Sequence, residues 1–135
     1  GILTVETLDE QGKVVSSHSL TTAGDETVLT GTLEKKVLRA NGQDLCYLPI
    51  EFTDKAGNLK PYMEQLVEVA VAGAATLAGF GSALCKTNEV FDKPYHHSYR
   101  GRCLAVLRAG STPGKAKVTV TSAGMEPVTI EVEVQ

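Results

Sequence analysis

Apolar and polar residues alternate with period two along most of this chain, and no apolar stripe at helical spacing is long enough to make an amphipathic helix. That pattern predicts strands with one buried face. In the clearest run, Cys46, Leu48, Ile50 and Phe52 share one side, and Tyr47, Pro49, Glu51 and Thr53 share the other. Pro49 marks this strand as an edge or a bulge, because proline brings no N–H to a ladder. Val67, Val69 and Val71 form the next inward row as far as Gly73, followed by a short strand from Thr76 to Phe80. Then come Cys103, Ala105 and Leu107 with Arg102 and Arg108 outward, Ala116, Val118 and Val120, and finally Val128, Ile130, Val132 and Val134. Turn residues separate the runs at Asp54 to Asn58, Gly110 to Gly114 and Ala123 to Pro127. With two strands before Gly42, the reading is an all-β immunoglobulin-like β-sandwich of about seven strands.

Residues 1–24 read as a separate N-terminal β-hairpin: Ile2 to Leu8, a turn at Asp9 to Gly12, then Lys13 to Leu20. A lone hairpin has open edges and half a core, so it is expected to dock on the main domain or to form a dimer with a second copy. Residues 25–135 hold the sandwich.

The chain has 135 residues, enough for one domain with a real core. A net charge of -3 and a pI near 5.6 give no electrostatic reason to expect nucleic acid or an anionic membrane surface as a partner. No apolar run approaches the ~20 residues that span a bilayer. With three Phe, four Tyr and no Trp, the core must be mostly Val, Leu and Ile. Cys46, Cys85 and Cys103 are an odd set without metal-type spacing, and Cys46 and Cys103 stand in phase with apolar neighbours, so buried free thiols are expected.

The segment from Gly79 to Gly110, GFGSALCKTNEVFDKPYHHSYRGRCLAVLRAG, is the most specific stretch. Around it stand Thr22-Ala23-Gly24, Ala40-Asn41-Gly42-Gln43-Asp44-Leu45, Asp54-Lys55-Ala56-Gly57-Asn58 and Thr121-Ser122-Ala123-Gly124-Met125. In this order they resemble the C-terminal immunoglobulin-like accessory domain of multidomain glycoside hydrolase family 2 enzymes of the β-galactosidase type. The resemblance runs from about Thr21 to the C-terminus. It implies that residues 1–24 are the last hairpin and linker of a preceding immunoglobulin-like domain, and that the partners are other domains of the same parent chain. It also implies that the catalytic carboxylates lie on a separate barrel. A parent with an upstream signal peptide would be periplasmic or secreted. Invasin-like adhesin stalk domains resemble the chain at the Asn-Gly-Gln-Asp and Ser-Ala-Gly-Met pieces, and the Gly79 to Arg108 segment separates the two families.

A retaining glycosidase needs two carboxyl groups ~5 Å apart in a sugar-binding cleft. Here Glu51, Glu68, Glu131 and Glu133 fall on outward strand positions, so no catalytic residue is assigned. His96 and His97 are adjacent and point to opposite faces of an extended chain, which argues against a shared zinc ion and for one packed and one exposed ring. GFGS and GSTPG read as turns without phosphate-loop chemistry, and no cofactor is implied. The candidate contact loop is Asn88, Glu89, Phe91, Asp92, Tyr95, His96, His97, Tyr99 and Arg100. Its mixture of rings and planar hydrogen-bonding groups suits a domain interface, with a glycan as the alternative ligand.

Overall fold

The computed structural model describes every residue from Gly1 to Gln135. Eleven strands follow in order: β1 (Ile2–Leu8), β2 (Val14–Thr21), β3 (Val28–Gly31), β4 (Val37–Leu38), β5 (Leu45–Thr53), β6 (Leu66–Gly73), β7 (Ala75–Gly81), β8 (Tyr95–His97), β9 (Arg102–Ala109), β10 (Gly114–Ser122) and β11 (Val128–Val134). The last nine form two facing sheets, ordered β4-β11-β10-β6-β8 and β3-β5-β9-β7, while β1 and β2 pair with each other. This is the all-β immunoglobulin-like sandwich that the alternation predicts. It has nine strands rather than about seven. With three residues, β8 is too short for its alternation to register.

The inward rows meet between the sheets. Cys46, Leu48, Ile50 and Phe52 of β5, with Cys103, Ala105, Leu107 and Ala109 of β9, face Val67 and Val69 of β6, Ala116, Val118 and Val120 of β10, and Val132 and Val134 of β11. Each of these is buried. Removing this much apolar surface from water, at about 25 cal/mol per Å², is the main force that holds the layers together. Cys46 and Cys103 are free and buried as expected, and Cys85 is free and exposed. Cys103 pairs with Ile50 and Cys46 with Leu107, so the two thiols sit several rungs apart on neighbouring strands of one sheet.

Two sequence readings need correction. Pro49 lies on β5, which is interior to its sheet, between β3 and β9. The strand tolerates it because the ladder with β3 ends at the pair Gly31 and Ile50, and Pro49 then accepts through its carbonyl from Thr32 N–H at 3.2 Å. The lost N–H points the same way, past the end of β3. The second correction concerns GFGS. Gly79, Phe80 and Gly81 are the last residues of β7 and pair with Val106, Ala105 and Leu104. Their glycines signal a close approach to the strand rather than a turn.

The hairpin stands away from the sandwich, with every residue of β1 and β2 exposed. Ile2 is 72% and Leu20 62% exposed, so the hairpin buries little of its apolar surface against the sandwich. The chain between hairpin and sandwich is nevertheless held firmly. Asp54 Oδ2 accepts from Gly24 N–H at 2.8 Å and from Asn58 Nδ2 at 2.9 Å, while Oδ1 accepts from the N–H groups of Ala56 and Asn58. Lys60, buried at 2% exposure, donates from Nζ to Asp25 O at 2.7 Å and to Thr27 Oγ1 at 2.9 Å. Gly101 makes room for that arrangement. Its φ is +76°, and a Cβ there would stand 2.4 Å from Lys60 O.

The donors around Asp54, led by the Asn58 side chain and followed by Gly24 N–H, lower its carboxyl to about 2. An unfolded aspartate titrates near ~3.9. The native pKa is the lower one, so the stabilisation is complete above the unfolded value and disappears as pH falls toward 2. Thermal melts from pH 7 to pH 2 are expected to show an acid limb that Asp54→Asn flattens, with a lower midpoint at pH 7. Superimposable wild-type and variant profiles would contradict this role.

Candidate functional site

The candidate loop closes the open flank of the sandwich. After β7 the chain turns back so that Phe80 N–H donates to Phe91 O at 2.8 Å, covering the edge of one sheet. Val69 N–H then donates to Pro94 O at 2.8 Å, and β8 pairs with β6, covering the edge of the other. One segment therefore covers the edge that each sheet presents on this flank, at β7 and β6, a job that sheet proteins must give to something.

His96 is the plug of that closure. It is fully buried, stacked on Phe91 with ring centroids 5.6 Å apart and edge-on to Phe80 at 6.3 Å. Its Nδ1 lies 2.9 Å from His97 O and 3.4 Å from Glu89 Oε2, while Nε2 is buried without a protein partner. His97 points outward, as the alternation requires, and its Nδ1 meets Glu89 Oε1 at 2.8 Å. Glu89 also accepts from His97 N–H. Burial opposes the charge on Glu89, but the bonds from His97 and the nearby His96 outweigh it and hold the carboxyl below its usual range. The Cys103 thiol is pushed up to about 12, chiefly by burial and further by the charge of Glu89, so it behaves as an inert apolar group.

Of the nine candidate residues, Glu89, Phe91, His96 and His97 come together in this way. The others diverge. Tyr95 lies on the outer face of the five-stranded sheet beside Glu68 and Thr119. Tyr99 lies under the Arg100 guanidinium at 5.5 Å, and Arg100 holds a φ of +52° next to Gly101. Asn88 and Asp92 are exposed. No three His, Cys, Asp or Glu side chains converge in a metal-binding group.

A groove of about 550 Å³ lies on the outer face of the other sheet. Pro49, Leu104 and Val106 line it, with Gly79 and Gly81 at the β7 side and Phe91 as a wall. The glycines create its depth, since outward positions on β7 carry no side chain there. Gly81 also admits Phe91, whose Cδ1 would be 2.2 Å from an added Cβ. At one end Arg102 Nε donates to Glu51 Oε1 at 2.8 Å. Reading the loop alone misses this groove. Its signal in the sequence is the outward set Tyr47, Pro49, Leu104 and Val106, apolar where a solvated sheet face would be charged.

Fold and flank closure define an immunoglobulin-like β-sandwich. The likeness extends to the Yersinia pseudotuberculosis adhesin InvE, at a TM-score of 0.50 and 23% identity over 78% of this chain and 26% of that one, which speaks for the fold alone. The family is narrower: residues 29–131 match Glycoside hydrolase family 2 C-terminal domain 5, and the chain belongs to that family. It is similar to the beta-galactosidase BoGH2A of Bacteroides ovatus, with 33% identity over 93% of this chain and 15% of that protein's length. It is also similar to a solved glycosyl hydrolase family 2 member from Bacteroides cellulosilyticus. That match has a TM-score of 0.92 and 27% identity, over all of this chain and 17% of the other. The chain thus spans about a sixth of the length of these two hydrolases.

Proposed function

We propose that this chain is a non-catalytic accessory domain of a longer family 2 glycosidase, of the type that hydrolyses terminal β-galactosides. In this reading residues 1–24 are the terminal hairpin and linker of a preceding immunoglobulin-like domain, and residues 25–135 are the C-terminal sandwich. The observation that carries it is the family match together with its span: the chain corresponds to 15% of a beta-galactosidase. The fully exposed hairpin, with apolar residues on a two-stranded sheet, agrees with a piece whose own core lies upstream.

The acids support the same reading. A glycosidase general acid must be held protonated by surroundings that raise its pKa. Here the carboxyls that depart from ordinary values, Asp44, Asp54 and Glu89, all move down. Glu51 is paired with Arg102, Glu89 with His97 and Asp44 with Lys35. The purified 135-residue chain is expected to release no aryl leaving group from an aryl β-galactoside above the buffer rate. Turnover that survives repurification and follows the protein peak would overturn the proposal.

A further inference from the structure

The two outer faces of the sandwich differ in kind. The five-stranded sheet presents Lys115, Lys117, Glu131, Glu133 and Glu68 to solvent, with Lys115 and Glu131 paired across strands. The four-stranded sheet presents Tyr47 at 43% and Leu104 at 42% exposure, Val106 between them, and Phe91 at 55%. The five-stranded face also exposes Val37, Leu66 and Tyr95, but its central strands β10 and β11 carry charge outward where β5 and β9 carry Tyr47, Pro49, Leu104 and Val106.

We infer that the outer face of β5, β9 and β7 is the docking surface for a domain encoded upstream of the hairpin in the same polypeptide. The occupant would present a convex apolar segment to the groove and an acidic group to Arg108, since Glu51 already pairs with Arg102. This rests on the accessory-domain reading above. Three observations select that occupant.

The first is geometric continuity. Arg102 lines the sheet-face groove, and it also lines a cleft between the hairpin residues Ile2, His18 and Leu20 and the sandwich residues Leu59 and Tyr62. The groove therefore opens toward the place where the upstream chain enters. Asp54 and Lys60 fasten the linker at Gly24, Asp25 and Thr27, which keeps that entry beside this face.

The second is size. A groove with a few half-exposed apolar side chains is smaller than the roughly 800 Å² per partner that a stable independent complex buries. A tethered partner needs less, because the linker supplies an effective concentration on the order of millimolar. Relatives in which this chain is 15–17% of the length leave ample polypeptide to supply it.

The third is chemistry. The groove is lined mainly by carbon. Its charged groups, Glu51 and Arg102, are already bonded to each other, and Ser82 Oγ is buried without a partner and out of reach. Sugar hydroxyls would find few free donors or acceptors here, whereas an apolar protein surface needs none.

The test uses the full-length polypeptide with Cys85→Ser to silence the exposed native thiol. Leu104→Cys is expected to react with a maleimide about tenfold or more slower than Lys117→Cys on the opposite face, the protection that a docked surface confers. Adding Leu104→Arg in place of the thiol should expand the particle in small-angle scattering while the domain's melting transition persists. Equal labelling of the two thiols would overturn the inference. So would protection that vanishes on dilution, which would assign the face to a second copy, or protection that appears only with added galactosides, which would assign it to a glycan. Failure of the underlying accessory-domain reading is separately visible, as an upstream coding sequence with no further domain.

Discussion

Phe52→Ala is expected to lower the unfolding free energy by about 3–5 kcal/mol, a large part of the roughly 5–15 kcal/mol that keeps a domain of this size folded. Phe52 is fully buried on β5, opposite Leu29 of β3, and removing its ring leaves a cavity in the core cluster. Its backbone is also a junction: Phe52 N–H donates to Gly101 O, and Phe52 O accepts from Lys60 N–H, both at 2.9 Å. Chemical denaturation followed by fluorescence or circular dichroism would measure the loss. A change below about 1 kcal/mol would mean that the core around β5 repacks freely rather than being closely packed.

Lys60→Ala is expected to cost about 3 kcal/mol, from the cavity left by the buried stem and from acceptors at Asp25 and Thr27 that lose their donor. Lys60→Met separates the two parts. The thioether fills much of the same space, and removing a buried ammonium that has only neutral acceptors recovers desolvation cost. Lys60→Met should therefore keep global stability within about 1 kcal/mol of wild type. Both variants should become susceptible to protease between residues 22 and 27, because the linker has lost its fastening. A Lys60→Met linker as resistant as wild type would show that Asp54 alone holds this segment.

The rows of β5, β6, β9, β10 and β11 were legible because a half-buried strand imposes period two and each of these runs is at least seven residues long. The glycines of β7 misled because turn chemistry and close packing ask for the same residue. What distinguishes them is Phe91, ten residues beyond Gly81 in sequence and in contact with it in space. The candidate loop was only partly legible for a related reason. Alternation correctly sent His96 inward and His97 outward, but no local pattern shows that residues before and after Pro94 serve different sheets. Lys60 had no sequence signal at all. A lysine beside a turn ordinarily points to water, and its burial depends on carbonyl and hydroxyl acceptors more than thirty residues away.

The pairing of β4 with β11 bears on how such a molecule is made. Val37 and Leu38 find their partners at Glu133 and Val134, and β11 lies between β4 and β10 rather than at a sheet edge. During synthesis the five-stranded layer cannot be completed until β11 has left the ribosome. Until then β10 and β4 wait with a vacant seat between them, and the nascent chain is most open to wrong partners in that interval.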